Sequence, residues 1–242
     1  DLVELEDVKG DLQSHSDWSD GHNTILEMGK EAEERGYEYL ALTDHSQGLS
    51  VAGGLTKEDI EEREEELREA EEKLDIHLLS GIEVDIKKDG TLDMDDETLE
   101  DLDIVLGAVH SNFKMDEDEQ TKRITDAFST GLIDIMAHPT GRMIGEREPY
   151  KVNVRDMIGS AKENDVVLEI NAFPQRLDLD SMDAREAMEE GVMISIGTDA
   201  HGLHHLEFMK YGVAIARRAW LEADDVLNTR SYDDLIDYLE GR

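Results

Sequence analysis

Seven short apolar runs recur along the chain, each opening into a polar cluster: Val8–Leu12, Tyr37–Leu42, Ile76–Ile82, Ile104–Val109, Leu132–Ala137, Val166–Ile170 and Val192–Ile196. Runs that are continuous rather than alternating read as strands buried on both faces of a parallel sheet. Between them, apolar positions recur at helical spacing. Asn23 and Thr24 can cap a helix that carries Ile25, Met28 and Ala32 on one face and stops near Gly36. Thr56 with Asp59 forms a capping-box start to a long charged helix, whose narrow apolar stripe is Ile60, Leu67, Ala70 and Leu74. Further helices are predicted over Glu117–Thr130, Asn153–Glu163, Ser181–Glu190, Leu206–Leu221 and Tyr232–Leu239. Strand and helix in alternation imply βαβ units, hence the α/β class, and seven repeats in 242 residues favour closure into a barrel.

A barrel of this length is expected as one domain over 1–242, undivided by any proline-rich or Gly/Ser-rich linker. No apolar run approaches the roughly 18 residues a membrane-spanning helix needs, and the first residues lack a basic or apolar signal segment. A cytoplasmic chain without a membrane partner is the expectation. The opening residue is Asp1 rather than Met, as in a piece of a longer protein or a chain from which a tag was trimmed. With no cysteine there is no disulfide, no thiolate nucleophile and no thiolate metal site.

Charge changes the picture further, because 61 acidic residues against 24 Lys and Arg leave a net −37. Self-repulsion on that scale destabilises a compact body unless salt screens it, and at about 1 M salt the Debye length shrinks to about 3 Å. A halophilic origin is the expectation, with the acid runs Glu61–Glu66, Asp93–Glu97 and Asp116–Glu119 as solvated faces. No broad basic patch is present for nucleic acid; a local basic site in a cleft stays open.

The residues just past the apolar runs carry the chemistry: His15, Thr43-Asp44-His45, Glu83, His110, His138-Pro139, Asn171 and Thr198-Asp199-Ala200-His201. In a parallel barrel the C-terminal strand ends converge on one face, so residues far apart in sequence meet there. Five histidines, Glu83, Asp199 and the nearby Asp20 in register at successive strand ends read as a multinuclear metal cluster. Nitrogen and oxygen ligands suit Zn²⁺, Mn²⁺ or Fe²⁺. Glu83, on a central strand, is placed to bridge two ions. Such a cluster can act through a metal-activated hydroxide and needs no side-chain nucleophile. The sequence has neither a Gly-x-Ser-x-Gly elbow nor a Walker loop.

Gly10-Asp11-Leu12-Gln13-Ser14-His15, Ser19-Asp20-Gly21, Thr43-Asp44-His45, Gly81-Ile82-Glu83, Val109-His110-Ser111, His138-Pro139 and Asp199-Ala200-His201 together resemble the polymerase and histidinol phosphatase (PHP) superfamily over almost the whole chain. His138–Arg142, Glu169-Ile170-Asn171 and Gln175–Leu179 look like the PHP domain at the C-terminus of family X DNA polymerases. The resemblance implies a distorted seven-stranded (β/α)₇ TIM-like barrel with two or three divalent ions and phosphoester hydrolysis. It assigns His15, Glu83 and Asp199 to a first metal, Glu83, His110 and His138 to a second, and Asp20, His45 and His201 to a third. Glu83, His110 and Asp199 are the expected catalytic residues. The implied substrates are DNA 3′ ends, processed as by a 3′-to-5′ exonuclease or 3′-phosphatase in DNA repair, with a polymerase domain N-terminal in the same chain. A small-molecule phosphatase, such as one for histidinol phosphate, and a catalytically weak scaffold are the alternatives. An amidohydrolase barrel lacks support, because no strand-end lysine is present to bridge metals.

Gln13 departs from the superfamily's His-x-His motif; a neutral amide there is a weak ligand, so two-metal and three-metal occupancy both stand. Asp20 shares its loop with His22, the alternative ligand. Arg142 and Arg176 are candidate phosphate contacts through bidentate guanidinium donors, with ion pairing to carboxylates as the other role. Lys114 and Arg147 are weaker candidates. Asn171 either donates to substrate or supports its neighbours, and Asp44 either orients His45 or accepts hydrogen bonds near its strand. Trp18 and Phe173 either stack a nucleobase or pack against the rim. His77, His204 and His205 are expected as structural or surface residues.

Overall fold

The computed structural model describes residues 1–49 and 52–241. Among these, seven strands lie in one sheet in chain order, every neighbouring pair parallel: β1 (Gly10–Ser14), β2 (Tyr39–Leu42), β3 (His77–Asp85), β4 (Ile104–Ala108), β5 (Ile135–Met136), β6 (Val167–Asn171) and β7 (Ile194–Gly197). The helices are α1 (Ile25–Glu34), α2 (Lys57–Glu71), α3 (Asp96–Glu100), α4 (Glu117–Phe128), α5 (Val154–Glu163), α6 (Ser181–Glu189), α7 (Met209–Arg218) and α8 (Tyr232–Glu240). None is long and apolar enough to cross a membrane.

All seven apolar runs contain strand. The first is displaced toward its polar end because Leu5–Asp7 forms a 3₁₀ turn that Val8 terminates, and Leu132–Ala137 contributes only two paired residues. The expected capping boxes close α1 and α2: Thr24 accepts from Glu27 N and Thr56 from Asp59 N, with reciprocal carboxylate bonds. The helix expected over Leu206–Leu221 is divided, with a 3₁₀ segment over Leu203–Phe208 ahead of α7. The five-residue α3, capped by Asp95, lies within an acid-rich stretch that gave no helical period.

The barrel interior is apolar in its lower half. Leu12, Tyr39, Ala41, Leu79, Ile104, Leu106, Ile135 and Val167 form one cluster with Leu227 and Leu235. Leu235 belongs to α8, whose first residue donates from its backbone to Glu38, just ahead of β2 (3.4 Å). α8 therefore stops the N-terminal end of the barrel and leaves the C-terminal end open. Each aliphatic side chain buried in this way stabilises the fold by about 1.5–3 kcal/mol.

Closure between β1 and β7 is made near the C-terminal strand ends by a parallel bridge, Ser14 with Ala200, and by His15 N donating to Ala200 O (2.8 Å). Lower down, the wholly buried Asn228 side chain fills the gap. Its amide nitrogen donates to Gly10 O (2.9 Å) and Ile196 O (2.8 Å), and its oxygen accepts from Ile196 N (2.7 Å). One side-chain amide thus satisfies backbone groups that the sheet would otherwise leave unpaired in the interior.

Candidate metal centre

Polar side chains replace apolar ones toward the open end of the barrel, and they converge on Glu83 at the C-terminal half of β3. His138 Nε2 lies 2.8 Å and His110 Nε2 3.1 Å from Glu83 Oε1, while His15 Nε2 and His45 Nδ1 lie 3.4 and 3.6 Å from Oε2. A second centre forms around Asp199, whose Oδ1 is 3.2 Å from His15 Nε2. A third forms at Asp20, 3.2 Å from His201 Nε2 and 3.6 Å from His45 Nε2. The side chains of Glu83 and His15 are inaccessible to solvent and those of Asp199, His45 and His138 nearly so.

Three sets of ligand atoms lie close enough to hold a cation: His15, Glu83 and Asp199; His45, Glu83 and His110; and His15, Asp20, His45 and His201. His138 touches Glu83 Oε1 at 2.8 Å but belongs to none of the three sets; His45 stands with Glu83 and His110 where His138 was expected. A fit test comes from unpaired atoms. His15 Nδ1 and Nε2, His45 Nδ1, His110 Nδ1, His138 Nδ1 and Asp20 Oδ1 are buried without a hydrogen-bond partner, a costly arrangement for a polar cluster and an apt one for cation ligands. The donor set, imidazole and carboxylate without sulfur, suits borderline divalent ions.

Burial alone would raise the Glu83 carboxyl, but His45, together with His110 and His138, outweighs it and holds the group well below the usual carboxylate range. Asp199 is likewise held well below by the neighbouring His15 and by the Arg176 and His201 charges, against burial. Burial pushes His45 down to about 4. Burial opposes the protonated forms of His110 and His201 too, yet Asp85 and Glu83 lift the first to about 9 and Asp20 and Asp199 lift the second to about 9.

Backbone geometry aims several of these groups. His138 and Asp199 adopt left-handed conformations, with φ of 31° and 55°, which non-glycine residues take up at a cost and which recur at functional sites. Gly197 faces Glu169, and a Cβ there would fall 2.0 Å from Glu169 Oε1, so glycine leaves the room that this buried carboxyl occupies.

Several supporting residues had no strand-end signal. Asp85 accepts from His110 N (3.1 Å) and sits 3.5 Å from its Nδ1, turning Nε2 toward Glu83. Glu169 accepts from His138 N (2.7 Å) and Asn171 Nδ2 (3.2 Å); burial and the Asp199 and Glu83 charges push its carboxyl well above the usual range. Arg63, wholly buried inside the first acid run, lies 3.4 Å from Asp44. Asp44 accepts from Ser16 N, Ser16 Oγ and Ser19 Oγ, so it holds the loop that carries Asp20; it makes no bond to His45. Alternation along β3 and β6 could have pointed to Asp85 and Glu169, which lie two residues from Glu83 and Asn171.

Other expectations change. Gln13 turns its amide nitrogen to Glu83 Oε2 (3.1 Å), and its oxygen accepts from Asn171 Nδ2 (3.0 Å). Asn171 spends its amide nitrogen on Gln13, Glu169 and Asp199 and its oxygen on Phe173 N, which makes it a positioning residue without a donor left for substrate. Asp20, not the exposed His22, reaches the cluster. Arg142 donates to the backbone oxygens of Arg176 (2.9 Å) and Leu177, so it braces a loop instead of facing phosphate. Arg147 bonds Gly141 O and covers the Phe113 ring at 3.8 Å, and Lys114 is exposed without a hydrogen bond or ion pair among the described residues. Trp18 packs against the core and donates to Glu66 (2.9 Å). Arg176 alone of the proposed substrate contacts stays poised: Nε is 3.1 Å from Asp199, while NH1 is buried and unpartnered.

The first and second acid runs are only partly solvated, since Arg63 interrupts one and Asp93 accepts from Ser46 Oγ, Gly48 N and Asp85 N in the other.

A parallel barrel with a polynuclear metal-ligand cluster at its C-terminal mouth defines a class of hydrolytic metalloprotein. Within that class the chain belongs to the PHP family, whose domain matches residues 11–173. It is 43% identical over 241 residues to the DNA polymerase/3′-5′ exonuclease PolX of Bacillus subtilis (strain 168), covering 99% of this chain but 42% of that relative. It is 30% identical over 224 residues to a probable phosphatase of Thermoanaerobacter sp. (strain X514), covering 87% of this chain and 86% of the relative. A histidinol phosphate phosphatase from Lactococcus lactis, solved with zinc, L-histidinol and phosphate, shares the fold with a TM-score of 0.61 at 16% identity, covering 88% of this chain and 94% of that one. The family places the chain among metal-dependent phosphoesterases.

Proposed function

We propose that this chain hydrolyses the 3′ ends of DNA, as a 3′-to-5′ exonuclease or 3′-phosphatase. The observation that carries the reading is the pairing of the metal-ligand cluster with an unpartnered donor, the buried NH1 of Arg176, whose Nε is held by Asp199. His15, Asp20, His45, Glu83, His110, His138, Asp199 and His201 would hold two or three divalent ions, zinc, manganese or iron. Ions held there would polarise a phosphoryl oxygen and lower the pKa of water at the site. Arg176 offers its free guanidinium edge to the same phosphoryl group, and Asp199 fixes the other edge. Asp85 keeps His110 facing Glu83, while Glu169 holds the His138 backbone by accepting from its N–H. Likeness to the Bacillus subtilis polymerase/exonuclease supports a DNA substrate. Likeness to the probable phosphatase supports a second reading, hydrolysis of a small phosphomonoester.

The test uses protein in molar KCl with Mn²⁺ and a 5′-labelled single-stranded oligonucleotide, with Glu83→Ala as the blank. A ladder shortening from the 3′ end, absent in the blank, is expected. Hydrolysis of small phosphomonoesters without such a ladder would move the assignment to the second reading.

A further inference from the structure

Four rings lead away from the metal centre along its rim. His205, half-buried, accepts through Nδ1 from His201 N (3.1 Å), so its ring is fixed directly to the edge of the cluster. It stacks on Phe208 with 5.1 Å between centroids and a 21° interplanar angle. Phe173 stands edge-on to both, at 5.3 and 5.4 Å. Phe208 is followed by Tyr211 at 6.0 Å, one helical turn on, and Lys210 Nζ lies 5.2 Å from the Tyr211 ring. Tyr211 is 42% exposed. At its inner end the track is tied to the phosphate-facing group: Phe173 O accepts from Arg176 N (2.8 Å) and Phe173 N donates to Asn171.

Composition makes this grouping unusual for the chain. Only four phenylalanines occur in 242 residues, and two of them are here. Local charge is reversed as well. From Gly197 to Trp220 there are two carboxylates, Asp199 and Glu207, against Lys210, Arg217 and Arg218, in a protein with 61 acidic and 24 basic residues. Glu207 is offset by Lys210 at 3.7 Å. A polyanion approaching the mouth from this side meets rings and little negative charge, whereas acid-rich helices such as α2 cover other parts of the surface.

We propose that Phe173, His205, Phe208 and Tyr211 form a stacking track for unpaired nucleobases of a single-stranded end whose terminal phosphodiester sits at the metal centre. The inference rests on the DNA-end reading above and adds to it the preference for a single strand at least two nucleotides long. Every base presents a π-face, so recognition by stacking is tolerant of sequence. Stacking also survives high salt, where counterion release contributes little.

The test measures binding by fluorescence anisotropy in molar KCl, using a 5′-labelled oligonucleotide with a phosphorothioate at its last linkage to block turnover. A matched oligonucleotide carries abasic sites at the nucleotides next to the 3′ end. Tyr211→Ala and Phe208→Ala are expected to weaken the intact oligonucleotide at least about fivefold and to weaken the abasic one much less, with Tyr211→Trp retaining tight binding. Equal weakening of both oligonucleotides, or of neither, overturns the track. Circular dichroism melts confirm that each variant is folded, and Tyr211, being exposed, carries the test should Phe208→Ala unfold. Base-dependent binding without any cleavage by the unaltered protein would retain the track and reject the hydrolytic reading; cleavage without base-dependent binding would do the reverse.

Discussion

Arg63 and Asp44 form an ion pair at 3.4 Å with both side chains sealed from solvent, and the same carboxylate holds the backbone and hydroxyl of Ser16 and the hydroxyl of Ser19. The pair therefore links α2 to the loop that presents Asp20. Removing one member of a buried pair leaves the other charge uncompensated, at a cost of about 3–5 kcal/mol. Arg63→Met is expected to lose that much in denaturant unfolding in molar KCl. A loss below about 1 kcal/mol would show that the pair does not hold the loop.

Glu83→Ala and His110→Ala are expected to abolish turnover while leaving a folded barrel, because Glu83 is shared by two of the ligand sets and His110 belongs to one of them. Metal content per chain, measured alongside the rate, should fall in Glu83→Ala. Unchanged activity in either variant would sink the assignment.

Arg176 and Arg142 should separate. Arg176→Ala removes the free donor at the site and is expected to lower kcat by about 10²–10³-fold, the scale of losing one preorganised stabilising donor. Arg142→Ala acts only through the backbone it braces at Arg176 and Leu177, so its loss should be smaller and partly restored by Arg142→Lys. Equal losses would place both guanidiniums on phosphate.

Asp11 gives a pH signature. Burial raises its carboxyl to about 6, against bonds from Thr198 and Gln13 N that favour the charged form. A folded-state pKa above the unfolded value means the folded protein binds the extra proton, so this group's contribution falls as pH rises from about 4 to 6. The difference in unfolding free energy between the unaltered protein and Asp11→Asn should therefore shift by up to about 3 kcal/mol over that window, in favour of the variant at higher pH. A difference independent of pH would contradict the assignment.

The net charge of −37 leads to an expectation about salt. The melting temperature is expected to rise between dilute buffer and molar KCl, as screening shortens the reach of carboxylate repulsion. A melting temperature constant over that range would remove the argument for a halophilic origin.

The strand order and the face that carries the site were legible because both rest on repeated local signals: an apolar run, then a ligand-type residue. Glu83, His110 and His138 stood out in this way. Arg63 was not legible, because a basic residue amid glutamates reads as solvated until α2 is laid against β2 and β3. Gln13 and Asn171 look like ligands by position, but which atom of an amide faces a carboxylate depends on neighbours from β3, β6 and β7. Arg142 and Arg176 are equivalent in sequence and are told apart only by the carbonyls that Arg142 meets. The aromatic track combines Phe173 with His205, Phe208 and Tyr211, which lie in a later segment beyond β7, a grouping that only the fold reveals.

Asn228 bears on the order in which the molecule is completed. A ribosome delivers the N-terminal part of a chain first, so β1 and His15 emerge more than two hundred residues before the side chain that spans the gap beside Gly10. Until that residue arrives, the first and last strands lack their lower seam, whereas their C-terminal ends can already join through Ser14 and His15 with Ala200. The lower seam of the barrel thus closes after the strands it joins have been made, and the upper seam beside the cluster does not wait for it.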